Sequence, residues 1–238
     1  MTPLMHAAQY QQDVNILNVI IKAGAKIAVR TNEGWTPLMY AVGFNQNPEI
    51  VTALLKAGAK FDDRDEKGMT PLMHAAESLK PEVMTALLLK AGAKISDKDA
   101  DGRTTLMIAA RNEYNSNPEI INLLVKAGAK TTDGDNETNW FPIYYAVKYN
   151  PNISITTALI KAGSPVNQDG YSPLMCAAQY TTNPEIISAL LKAGADAKTK
   201  YKRWERYGEV ESTAFDYAGS NENIKGTDVY WELSKARF

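Results

Sequence analysis

The chain has 238 residues, 45% of them hydrophobic and 22% charged, the composition of a folded globular protein rather than a disordered one. Its 26 Lys and Arg against 27 Asp and Glu leave a formal charge of −1, which removes the broad basic footprint of a non-specific nucleic-acid binder. The single cysteine, Cys176, excludes an internal disulfide scaffold. No apolar run approaches the ~18 residues that span a bilayer, and the residues from Met1 to His6 lack the pattern of a signal peptide.

Two phrases recur in step. Thr2-Pro3-Leu4-Met5-His6-Ala7-Ala8 returns at Thr36–Val42, Thr70–Ala76 and Thr104–Ala110. Weaker copies lie at Phe141–Val147 and Ser172–Ala178, and a degenerate one at Thr213–Ala218. The second phrase, Lys-Ala-Gly, places its glycine at Gly24, Gly58, Gly92, Gly128, Gly163 and Gly194. The leading positions are spaced by 34, 34, 34, 37, 31 and 41 residues, and a period this regular marks a repeat architecture.

Each unit reads as two short helices and a turn. Thr36 suits an N-cap and Pro37 the first helical position, because proline lacks the N–H that would be orphaned there. Leu38, Ala41 and Val42 then fall at helical spacing. Asn47-Pro48-Glu49 opens the second helix in the same way, and Asn117-Pro118-Glu119, Asn183-Pro184-Glu185 and Lys80-Pro81-Glu82 repeat the signal. Ile50, Ala53, Leu54 and Ala57 form one apolar stripe. Gly58 supplies a left-handed stop, with Lys56 in the last turn. Polar stretches such as Asp62–Gly68 follow as hairpin-like connectors.

This pattern resembles the ankyrin repeat, whose period is ~33 residues and whose signature is Thr-Pro-Leu-His-x-Ala. The resemblance covers residues 2 to about 235. It implies an all-α solenoid of stacked antiparallel helix pairs with projecting hairpin-like loops, read here as one domain over 1–238. Repeats begin near 2, 36, 70, 104, 141 and 172, and a degenerate cap occupies 213–238. One departure is systematic: the family's histidine is Met5, Met39, Met73, Met107 and Met175, and Tyr144 in the fifth copy. Soft thioether packing is expected in place of the histidine's hydrogen bonds. A second departure is the longer link between helices, as in Asn112–Asn117. Such Asn-Pro-Glu links resemble those of bacterial ankyrin proteins, which implies a bacterial origin.

The ends and connectors are irregular. Thr227-Asp228 caps a last helix carrying Val229 and Leu233. Met1 directly precedes a first helix without a polar cap, so either that helix frays or the chain is a fragment. The connector after Gly128 is long and acidic (Thr131–Glu137), the next is short (Pro165–Gly170), and the last carries extra residues around Tyr201–Tyr207. Insertions in solenoids map to loops, often on the binding face.

Chemical motifs are sparse. Asp97-Lys98-Asp99-Ala100-Asp101-Gly102 matches half of a calcium loop, but the twelfth position is Ile108 rather than a bidentate Glu. The aspartates are better explained as hairpin residues, and Asp133-Gly134-Asp135 fails the same test at Tyr144. His6 and His74 share one slot two repeats apart, roughly 20 Å if helix layers are ~8–10 Å thick, too far for a dyad. Cys176 holds that slot in repeat six. No phosphate loop, nucleophile elbow or His-Glu-x-x-His motif appears.

Variation at matched positions is more informative. The residue before each leading position is Trp35, Met69, Arg103, Trp140 and Tyr171; the ninth residue is Tyr10, Phe44, Ser78, Asn112, Tyr149 and Tyr180. The ankyrin resemblance implies that these slots line a concave partner-binding surface, and large aromatic anchors dominate protein interfaces. The expected contact set is Trp35, Phe44, Met69, Arg103, Arg111, Trp140, Tyr149, Tyr171, Tyr180 and Trp204. The same residue types also suit packing on their own hairpins and bracing of the links. If they form the interface, alanine at Trp35 or Trp140 should weaken binding and spare the melting temperature.

The function expected is a non-catalytic protein–protein interaction scaffold with no cofactor or metal. It would bind a protein partner rather than nucleic acid or membrane, as a cytoplasmic monomer. One alternative is an enzyme or small-ligand-binding protein using the loops of repeats five and six near Asp133 and Glu137. Another is nucleic-acid binding through Lys202, Arg203 and Trp204, diluted by Glu205, Glu209 and Glu211.

Overall fold

The computed structural model describes residues 1–45, 47–78, 81–114, 117–205 and 208–236. Lys80 of the third helix-start signal, Asn115 and Ser116 of a link, and Arg206 and Tyr207 of the last connector lie outside the described residues. The chain folds as two compact units. The first comprises Met1–Ala109, Glu119–Lys130 and Gly134–Asn139; the second comprises Ala110–Pro118, Thr131–Asp133 and Trp140–Phe238.

Fourteen helices form among the described residues. In chain order they are α1 (Pro3–Tyr10), α2 (Val14–Lys22), α3 (Pro37–Phe44), α4 (Pro48–Lys56), α5 (Pro71–Ala76), α6 (Pro81–Lys90), α7 (Thr105–Arg111) and α8 (Glu119–Lys126). They continue as α9 (Pro142–Tyr149), α10 (Ile153–Lys161), α11 (Pro173–Tyr180), α12 (Pro184–Lys192), α13 (Ala214–Ala218) and α14 (Asp228–Ala236). In the first unit the inner helices stack as α1–α3–α5 and the outer ones as α2–α4–α6–α8. In the second the rows are α9–α11–α13 and α10–α12–α14. Leu4, Leu17, Leu38, Ile50, Leu54, Leu72 and Leu88 fill one core in the first unit, since a lone helix pair cannot bury its apolar face without neighbours.

The helix starts explain the methionines. The hydroxyls of Thr2, Thr36, Thr70 and Thr104 accept the backbone N–H of Met5, Met39, Met73 and Met107 at 3.3–3.4 Å. In return, the N–H of each threonine points at the sulfur of the same methionine at 3.4–3.5 Å. This is a reciprocal capping box with a thioether in the acceptor role. The thioethers therefore hydrogen-bond as well as pack, and α1 is capped, not frayed.

The connectors are closed turns. Asp65 N–H bonds Met69 O at 3.1 Å and Asp99 N–H bonds Arg103 O at 3.0 Å. Successive turns are zipped by Glu66 N–H to Glu33 O (3.1 Å), Ala100 N–H to Lys67 O (2.9 Å) and Asn136 N–H to Asp101 O (3.0 Å). Gly68 has φ 72°, and a Cβ there would lie 2.9 Å from Ala100 N, so turn geometry and close approach both require glycine. Asn45 explains one long link: buried, its amide donates to Ala8 O and Gln11 O at 2.9 and 2.8 Å. Asn221 does the same for Ala178 O and Thr181 O. The last connector forms a hairpin of β1 (Tyr201–Glu205) and β2 (Gly208–Ser212), antiparallel, pairing Lys202 with Glu211 and Trp204 with Glu209. Thr227 caps α14 by accepting Tyr230 N–H at 3.3 Å.

Candidate functional site

In the first unit an aromatic group forms where one connector meets the next inner helix. Trp35 is half-buried; its ring lies 5.2 Å from Tyr40, 5.7 Å from Phe44 and 4.2 Å from His74. Phe44, on the last turn of α3, is 53% exposed. His74 is buried with its Nε2 2.9 Å from Asp65 Oδ2, while Asp65 Oδ1 accepts the N–H of Lys67 and Met69. Burial outweighs the nearby carboxylate and holds the imidazole pKa below its ordinary value. Sequence spacing excluded a His–His pair but missed this His–Asp one, which joins a connector aspartate to the inner helix of the same repeat.

Two expected contact residues engage their own turns. Met69 is 5% exposed, so it supports the turn rather than presenting a surface. Arg103 donates through Nε to Asp99 Oδ2 at 2.8 Å and pairs with Asp101 at 2.9 Å. Ser78 and Asn112, at the ninth position, are buried at 7% and 9% and present no contact surface. Arg111 is half-buried on the last turn of α7.

The second unit holds the larger cluster. Trp140 stacks on Tyr144 at 5.1 Å and on Tyr171 at 6.2 Å, the planes 13° and 10° apart. Tyr144 fills the family histidine slot and is fully buried; its hydroxyl donates to Tyr171 O at 2.6 Å. Tyr171 packs edge-on against Tyr201 and Tyr217, both at 5.5 Å. Cys176 lies beneath, its thiol pushed up to about 12 by burial, a buried and unreactive state. Tyr149 and Tyr180 end α9 and α11, each 42% exposed. Between them lies Lys148, its Nζ 5.0 Å from the Trp140 ring centre, 4.9 Å from Tyr149 and 4.6 Å from Tyr180. Sequence reading picked Arg111 from this slot, seven residues after the leading position, and passed over Lys148 in the next repeat.

On the hairpin, Trp204 is 80% exposed. Lys202 pairs with Glu209 at 2.8 Å and Glu211 at 3.3 Å, and Lys200 with Glu211 at 3.2 Å. Arg203 lies over the Tyr217 ring at 5.4 Å. The connector acids are likewise engaged: Asp135 accepts the N–H of Glu137 and Thr138, and Asp97 pairs with Arg64 at 3.1 Å. No group of three His, Cys, Asp or Glu among the described residues is placed to hold a metal. No helix among them is long and apolar enough to cross a membrane.

The sequence matches the family model described as ankyrin repeats (3 copies) over residues 1–65, 43–135 and 106–201. No curated protein matches it. Among solved structures it is similar to the crystal structure of the human ASB11 ankyrin repeat domain, at 23% identity and a TM-score of 0.80. That match covers 99% of this chain and 98% of the other. With matched stretches running from residue 1 to residue 201 and the capped helix pairs stacked as the repeat requires, the chain belongs to the ankyrin-repeat family.

Proposed function

We propose that the chain is a non-catalytic protein-binding scaffold whose contact residues are the exposed ends of the inner helices, backed by stacked turn residues. Ankyrin-repeat domains are in general protein-interaction scaffolds. The observation that carries the reading for this chain is one matched position. Tyr10, Phe44, Tyr149 and Tyr180 stand at it in four repeats and are 61, 53, 42 and 42% exposed. Large rings kept in water at a repeated position suit use as anchors. Trp35 backs Phe44 in the first unit; in the second, Trp140 is joined to Tyr149 and Tyr180 through the Lys148 ammonium. Arg103, Arg111 and Trp204 complete the proposed set. A nucleic-acid surface is the weaker reading, because Lys200 and Lys202 are paired with Glu209 and Glu211.

The test uses the full chain as bait with crosslinking, beside Phe44→Ala, Tyr149→Ala and Tyr180→Ala. Recovery of the wild-type partner should fall at least about tenfold for one or more variants, with melting temperatures unchanged. Recovery that ignores all three substitutions overturns the reading.

A further inference from the structure

We propose that Lys148 anchors a carboxylate of the partner, an Asp or Glu side chain seated against the ammonium between Tyr149 and Tyr180. The inference rests on the protein-binding reading above and gives that partner a chemistry. The ammonium lies 4.6–5.0 Å from the centres of three rings, which attract the charge and displace water from around it. Among the described residues no carboxylate lies within ion-pair distance of it, whereas Lys200 and Lys202 have such partners. An ammonium carries three N–H donors, and ring faces do not use them as an oxygen anion would.

Lys148 also lines a cleft with space for that anion. The cleft, of about 140 Å³, is bounded by Lys148, Tyr149, Asn150, Tyr180 and Thr181, with Glu113 also lining it. Among the described residues Lys148 is the only basic one lining the cleft, so one negative charge fits better than a phosphate dianion, which favours arginine clusters. A partner cation would have to displace Lys148 from the rings or sit beside a like charge, and both oppose binding. Burial, the largest single influence, works against the charged form, but Tyr149, Tyr180 and Cys176 beside it together outweigh it and hold the ammonium pKa above its ordinary value. Lys148 is therefore charged at neutral pH.

Random-sequence peptides displayed on phage and selected on the full chain supply the probe. The wild type should enrich Asp or Glu at one fixed position beside an apolar residue. Lys161→Met, an exposed lysine on the outer helix α10, should enrich the same position, and Lys148→Met should not. In a selected peptide, exchanging that acid for its amide should weaken wild-type binding about tenfold and Lys148→Met binding less than about twofold. Glu113→Gln should tighten the wild-type peptide by removing a like charge. Lys148→Gln repeats the comparison if the methionine variant does not melt as a folded protein. Enrichment of Lys or Arg, or affinity indifferent to both Lys148 variants, overturns the anchor. Peptides without an acidic position that still lose binding on Tyr180→Ala remove the carboxylate and leave the scaffold. Failure of any peptide to enrich on the wild type removes both.

Discussion

A hydroxyl buried without a partner loses its bonds to water and gains nothing in return. The repeats supply their own controls for this. Five residues before each Lys-Ala-Gly, the outer helices carry Leu17, Val51, Thr85, Ile121, Thr156 and Ile187, all 0% exposed. The two threonine hydroxyls have no hydrogen-bond partner among the described residues. Thr85→Val and Thr156→Val keep the shape and remove the orphan, so each should raise the unfolding free energy by about 1 kcal/mol. Urea midpoints would show it, and a loss of stability would mean that the hydroxyls are satisfied. His74 behaves differently because its partner is present. Its imidazole pKa is depressed below the unfolded value of 6.5 mainly by burial, so the unfolded chain takes up the proton first as pH falls. Stability is then full above about 6.5 and is lost as pH drops through the folded pKa. His74→Gln should flatten unfolding free energy against pH in that window. The pair was illegible in sequence because Asp65 reads as an ordinary turn residue until the fold lays the inner helix against it.

Element boundaries were legible wherever local chemistry alone sets them. Thr-Pro and Ser-Pro starts, Asn-Pro starts and Lys-Ala-Gly stops marked α1, α3, α4, α11 and α12 because each signal satisfies or removes orphaned backbone groups within a single turn. The β1–β2 hairpin was less legible, since Lys–Glu pairs face one another across its ladder in place of an apolar alternation. The thioether caps were also missed, because methionine is normally read as filler. They carry a consequence. Met73→Leu conserves volume yet leaves the buried Thr70 N–H without its sulfur acceptor, so it should cost about 1 kcal/mol, measurable by thermal melting against wild type. The glycines separate in the same way. Gly58 has φ 93° and open space around a Cβ, whereas Gly68 has φ 72° and backbone 2.9 Å away. Gly58→Ala should cost the left-handed strain alone, about 1 kcal/mol. Gly68→Ala adds a backbone clash and should cost roughly twice that or more; equal losses would show that the turn simply moves aside.

For the molecule as a whole, periodicity revealed the architecture and left the surface undecided, because it does not say which of two aromatic-rich repeat positions packs its rings and which presents them. Both kinds occur. Trp35, Trp140 and Tyr171 looked like free anchors, but each stacks on neighbouring rings within its own unit. Phe44, Tyr149 and Tyr180 keep about half their surface in water. Stability in a repeat stack is a sum over neighbouring interfaces, so a ring that bridges repeats acts on the fold first and on binding through it. Trp140→Ala removes stacking on Tyr144 and Tyr171 together with the Lys148 contact and should cost about 1–3 kcal/mol. The expectation that alanine at Trp35 or Trp140 spares the melting temperature is therefore replaced by its opposite. Tyr180→Ala should leave melting nearly unchanged and weaken the partner. Measured side by side on the full chain, the two variants separate support from contact. Should Trp140→Ala melt like the wild type while Tyr180→Ala unfolds, the two roles are exchanged, and the exposed row braces the helix links instead of meeting a partner.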